Sequence, residues 1–252
     1  MRHFFTLFRH EVRMLLLNPS SYVSAMLFLF CMGFIFVGIL DEYTRAAQDT
    51  SPAVAFFSLF FLACVMVPLL TMKSIAEERR SGTLETLLSA PVNTTVVVLA
   101  KFSASYVLYL LQWLSTVGFV FILHHFARDS RLLDPGPLIG GYVFIAVTGL
   151  LYVAIGTLAS ALVRSQAAAG IIAFAVILFA VFGARVTTNM TLLQQEAFQG
   201  MRTSVVSVDV FHHLGDFTRG VVDTRQIIFY FTGTALALIL SILALEAKIL
   251  RS

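Results

Sequence analysis

The residues able to do chemistry are few, and their placement argues against catalysis. The chain has no G-x-x-x-x-G-K-[ST] phosphate loop and no His-Glu-x-x-His metal motif. Its apolar stretches hold only unaccompanied Ser, Thr, Tyr and Gln112, with no nucleophile beside a base and no paired carboxylates. His124-His125 and His212-His213 can be drawn into a metal pathway with Met26, Met32, Met66, Met72, Cys31 and Cys64. Adjacent histidines project in different directions, however, and Met is common apolar filler, so no metal site is read. Cys31 and Cys64 sit inside apolar runs and form neither a disulfide framework nor a zinc spacing. What remains is charge, in two places. Glu77, Glu78, Arg79, Arg80 and Glu85 crowd one segment, and Arg219, Asp223 and Arg225 crowd another.

That charge stands out because so little exists elsewhere. Of 252 residues, 58% are hydrophobic and 12% charged, about half the charge density of a soluble domain. Seventeen basic and 14 acidic residues cannot keep 24 Phe out of water, so the solvent is lipid. Six apolar runs are long enough to cross the hydrocarbon layer: 21–40, 53–72, 102–123, 138–162, 166–184 and 227–245, none with an Asp, Glu, Lys or Arg. The first is too long for the apolar core of a cleaved signal peptide and is read as permanent. A net charge of +3 with no long basic stretch gives no reason to expect nucleic acid.

Six spans put both termini on one side. With the N-terminus cytoplasmic, ten Lys/Arg fall inside against seven outside, four of those seven in one long outer segment, and every Asp falls outside. The expected topology is therefore N-in and C-in.

Three segments outside the bilayer carry the rest. In residues 1–17, Arg2, Thr6, Arg9 and Arg13 follow at helical spacing, with Phe4, Phe8, Val12 and Leu15 on the opposing face. Such a helix lies in the membrane surface, its arginines on anionic headgroups, either as a topogenic basic start or as a shelf for a partner. Asn18-Pro19-Ser20 ends it. Between spans two and three, Gly82 breaks the helix leaving the membrane, Thr83 caps a new one, Glu85 stands in its favourable first turn, and Pro91 stops it. Leu84, Leu87 and Leu88 share a face. Two turns are not stable alone in water, so those leucines need a cover, from the chain's own span ends or from another protein. The outer segment 185–225 is too long for a turn. Within it Arg219 and Asp223, at i and i+4, can pair on one helical face, as a clasp before the last span or as a gate touching cargo. Gly156 with Ser160, and Ala180 with Ala184, have the small-x-x-x-small spacing of close helix contact. Lys101, near the start of the third helix, is expected to snorkel to the inner surface. Asn93-Thr94-Thr95 and Asn189-Met190-Thr191 match the glycosylation pattern by chance.

The run Glu77 to Val92, with its acidic-basic residues, Gly-Thr, Glu, Leu-Leu and Pro, resembles the signature between the second and third spans of type-2 ATP-binding-cassette (ABC-2) transporter permeases. Phe217-Thr218-Arg219-Gly220-Val221-Val222-Asp223-Thr224-Arg225 resembles the corresponding position in the subfamily of gliding-motility and nitrous-oxide-reductase-maturation permeases. Ser160 to Gln166 is also similar, although Arg164 is a less usual residue there. The likeness covers nearly the whole chain.

The resemblance implies one all-α polytopic membrane domain over 1–252: an interfacial N-terminal helix, six spans, a coupling helix within 77–92, and short outer helices within 185–225. It implies a multi-pass protein of the bacterial inner (plasma) membrane, paired with a second permease copy or homologue. The chain itself carries no cofactor, and ATP and Mg belong to a separate ATPase subunit. That subunit would contact Glu77, Glu78, Arg79, Arg80, Gly82, Thr83, Leu84, Glu85, Leu87, Leu88 and Pro91. Arg219, Gly220, Asp223 and Arg225 would form the outer clasp or gate. An ion-coupled transporter would place ionisable groups within its spans, and these spans hold none. The expected function is that of an ABC permease, an exporter, with a cargo that the Phe- and Leu-rich spans suit if it is lipid-linked or amphipathic. The alternatives are a membrane scaffold passing ATPase motion to an auxiliary extracytoplasmic protein and, a poor third, an intramembrane enzyme.

Overall fold

The computed structural model describes residues 2–45, 52–82, 93–119, 121, 135–188, 205, 207–221 and 223–249. Among them all regular structure is helical. An amphipathic helix α1 (Arg2–Leu17) precedes the long α2 (Pro19–Arg45). The next stretch is α3 (Pro52–Phe57), a tight 3-10 turn (Ser58–Leu62), α4 (Ala63–Thr71) and, after a turn, the short α5 (Ala76–Ser81). Then come α6 (Thr94–Ser115), α7 (Pro135–Leu162), α8 (Gln166–Thr188), α9 (Val210–Thr218) and α10 (Thr224–Ile249). Six helical stretches are long and apolar enough to cross a bilayer: 19–41, 55–81, 94–119, 135–162, 166–187 and 224–247. A helix satisfies its own backbone polar groups, which is what permits it to sit in hydrocarbon. The chain is an all-helical polytopic membrane protein.

Local chemistry explains the breaks. Asn18 Oδ1 accepts the Ser20 N–H at 3.1 Å, and Pro19, with no N–H to lose, starts α2. The stretch expected to be one plain helix over 53–72 tightens at 58–62, then turns at 72–75 before α5 resumes. Gly82, at φ +71°, ends α5 in the left-handed region that glycine alone adopts without strain.

The body is closed by large aromatics meeting glycine. Phe28 stands edge-on to Trp113 at 5.0 Å and Phe60 to Phe144 at 5.3 Å. On α7, Gly141, Gly149 and Gly156 repeat at about two turns, hence on one face. Each is filled by a neighbour: a Cβ there would lie 2.1 Å from the Phe57 ring, 2.1 Å from Tyr109 and 2.2 Å from Thr71 Oγ1. Span four is therefore the axis against which α3, α4 and α6 close, as small residues permit in membranes.

The amphipathic helix α1 is held against the body of the protein. Phe4, Phe8, Val12 and Leu15 are half-buried, and α1 lies along α6 and the start of α2. Leu15 packs against the core, while Arg9 and Arg13 remain exposed.

Candidate functional site

The charged segment after the second span folds into a hub where five helices meet. Lys101 on α6 is 2% exposed, and its Nζ donates to Glu11 Oε1 of α1 at 2.7 Å and to Glu78 Oε1 of α5 at 2.6 Å. Snorkelling to water, the expectation for Lys101, is thus replaced by burial between two carboxylates. A charge in such a place persists only when paired and hydrogen-bonded. The backbone N–H groups of Ile75 and Ala76, at the start of α5, both donate to Ser160 Oγ of α7, at 2.9 and 3.0 Å. That arrangement supplies an acceptor to donors that the helix start leaves open. Arg79 Nη1 donates to Ala161 O at 2.9 Å and Val163 O at 3.4 Å, at the C-terminal end of α7 where a cation is favoured. Lys73 Nζ donates to Ser20 Oγ of α2 at 2.5 Å. The small-residue spacing of Gly156 and Ser160 does report helix contact, and Ser160 adds a polar tie.

The predicted contact residues therefore divide. Glu78 and Arg79 have their heads turned onto α6 and α7 of their own chain. Arg80 and Gly82 are exposed and Glu77 half-exposed. Thr83, Leu84, Glu85, Leu87, Leu88 and Pro91 lie outside the described residues, as does the side chain of Arg2. The reading from sequence missed Glu11, although a signal existed: it is the only acid in α1 and falls among Phe4, Phe8, Val12 and Leu15, where an uncompensated charge has no place.

At the opposite end of α7 a second cluster joins the α9 turn to the last span. The Arg219–Asp223 pair on one helical face is not formed, because the helix ends at Thr218 and Gly220 turns the chain at φ +78°. Asp223 instead caps α10, its Oδ1 accepting the Arg225 N–H at 2.8 Å. The tie across the turn is Gln226 Nε2 donating to Asp216 Oδ2 at 2.7 Å. His213, 2% exposed, has its Nδ1 2.8 Å from Tyr230 Oη and its Nε2 3.1 Å from Ser207 O, so both ring nitrogens are engaged. The Arg185 guanidinium lies 4.4 Å above the Phe211 ring, binding the end of α8 to α9. No group of three or more His, Cys, Asp or Glu with metal-binding placement occurs among the described residues.

Three expected results follow from this end. Asp223→Ala should destabilise the start of α10 by about 0.5–2 kcal/mol. The charge swap Arg219→Asp with Asp223→Arg should fail to rescue it, because arginine offers no acceptor to the Arg225 N–H. Amide exchange at residues 223–227 reads both. Burial of His213 is the main reason that its pKa lies below the ordinary 6.5, with the neighbouring His212 adding to this and the Ser207 carbonyl, Asp216 and Asp209 opposing it. Its stabilising contribution is complete above pH 6.5 and is lost as the pH falls below that value toward the lower folded pKa. Thermal unfolding of wild type should weaken from pH 8 to pH 5 more steeply than that of His213→Gln.

With this geometry in place, comparison with known families is informative: the family described as "ABC-2 family transporter protein" matches residues 5–248. A search of curated proteins finds no match.

Proposed function

Because the chain belongs to the ABC-2 transporter family, a family of transporter membrane subunits that associate with an ABC ATPase, we propose that it is the permease subunit of an exporter. In this reading two six-span chains, this one with a second copy or homologue, line the path of an amphipathic cargo. The subfamily is that of the gliding-motility and nitrous-oxide-reductase-maturation permeases, and both termini face the cytoplasm of the bacterial inner membrane. ATP, with Mg, is hydrolysed on a separate subunit.

The observation that carries this reading is the hub. The ATPase docks on 83–91, with Leu84, Leu87 and Leu88 in its groove and Glu77, Arg80 and Glu85 fixing register by charge. Glu78 and Arg79 act behind that surface. They join α5 to α6 and α7 through Lys101 and the Ala161 carbonyl, so a pull on the docking segment reaches spans three and four and, through Glu11, α1. Rigid elements joined this way move as a body between inward- and outward-open states.

The test is capture of the ATPase. Glu85→Arg with Leu88→Asp should abolish co-purification of an ABC ATPase co-expressed with this chain and the stimulation of its hydrolysis. Wild-type co-purification and stimulation by this variant would refute the assignment.

A further inference from the structure

A groove of about 210 Å³ opens to the lipid between α2 and α6. Its walls are apolar, with Ala25 and Leu29 on one side and Leu108 and Leu111 on the other. Leu16 of α1 closes its mouth and also borders the surface hollow lined by Arg9 and Arg13. Arg9, Arg13 and Leu16, at i, i+4 and i+7, form one stripe on α1. A basic stripe thus runs directly into an apolar slot.

The hydroxyl residues Ser21, Tyr22 and Ser115 also line the slot, together with one amide. Gln112 lines it, is 7% exposed, and its Oε1 has no hydrogen-bond partner among the described residues. A buried acceptor in hydrocarbon is costly to leave unmade. Gln112 lies about 16 Å along α6 beyond Lys101. Lys101 marks the level of α1, because it holds Glu11, which sits between Arg9 and Arg13.

We infer that this groove binds a single-chain anionic amphiphile whose tail carries a hydroxyl or amide donor deep in the chain: the acid meets Arg9 and Arg13, the chain lies against Ala25, Leu29, Leu108 and Leu111, and the donor meets Gln112 Oε1. The volume seats a segment of one acyl chain and leaves no room for two side by side, which favours a single-chain ligand over a two-chain phospholipid. Charge complementarity at the mouth selects the acid, and the orphaned amide oxygen selects the donor. The site depends on the chain being membrane-embedded and not on which subunit supplies ATP, so ATPase capture and amphiphile binding can fail separately.

The experiment uses the full chain in nanodiscs of phosphatidylcholine, with tritiated 12-hydroxystearate and tritiated stearate as probes and empty nanodiscs as background. Wild type should bind 12-hydroxystearate about tenfold more tightly than stearate. Gln112→Leu should make the two acids equal while stearate still binds, which also shows that the variant is folded. Arg9→Gln with Arg13→Gln should weaken both acids, and dioleoylphosphatidylglycerol should not compete. Binding no greater than in empty nanodiscs, a hydroxyl preference that survives Gln112→Leu, or full displacement by phosphatidylglycerol would overturn the inference.

Discussion

Lys101→Met should destabilise the folded chain by about 3–5 kcal/mol, the loss expected when one partner of a buried ion cluster is removed. The substitution keeps the apolar stem and deletes the ammonium, so Glu11 and Glu78 are left facing each other without the cation that holds both at hydrogen-bond distance. Glu11→Gln and Glu78→Gln should each do less damage, because one carboxylate still pairs with Lys101. The triple variant Glu11→Gln, Lys101→Met, Glu78→Gln should recover much of the stability, since removing all the charges removes the desolvation that only their pairing offsets. Thermal unfolding in nanodiscs orders the four variants. If Lys101→Met unfolds at the wild-type temperature, the hub is not a structural tie.

The second large effect lies at Gly149. A Cβ there would stand 2.1 Å from the Tyr109 ring, which is fully buried. Tyr109 is held from several sides: its hydroxyl donates to Ile145 O at 3.3 Å and its ring stacks on Tyr106 at 6.3 Å. The ring cannot yield without parting α6 from α7, so Gly149→Ala should cost about 1–3 kcal/mol by overpacking. Tyr109→Leu should be destabilising alone, through lost burial. The double variant should be less destabilised than the sum of the two, because the smaller side chain makes room for the methyl. Strict additivity would show that the two residues do not press on each other. The contact matters for function because it joins the span carrying Lys101 to the span carrying Ser160.

Much of the fold is legible in the sequence, because lipid imposes a simple grammar: uncharged runs of bilayer length become helices, and Asn18-Pro19 and Gly82 interrupt them where their backbone chemistry says they should. What sequence conceals is which charges find each other across space. Lys101 reads as a residue reaching for water only while its partners, far away in the chain on α1 and α5, are unknown. Glu78 and Arg79 read as outward-facing from their neighbours alone, since a run of four charges on a short helix gives no sign that its two middle members face α6 and α7. At the other end, the i, i+4 spacing of Arg219 and Asp223 promises a pair only if the helix continues. Gly220 stops it, and Asp216 and Gln226 tie the turn instead.

In the proposed mechanism α1, α5 and α6 form one rigid unit through which ATPase motion reaches the spans. Spin labels at Arg9→Cys on α1 and Ser81→Cys on α5, with Cys31 and Cys64 replaced by Ala, report their separation by pulsed electron resonance in the permease–ATPase complex. The unit predicts the same distance in the nucleotide-free and ATP-trapped states. It also predicts a distance that broadens or shifts between those states once Lys101→Met is introduced. A distance that changes with nucleotide while Lys101 is present would contradict it.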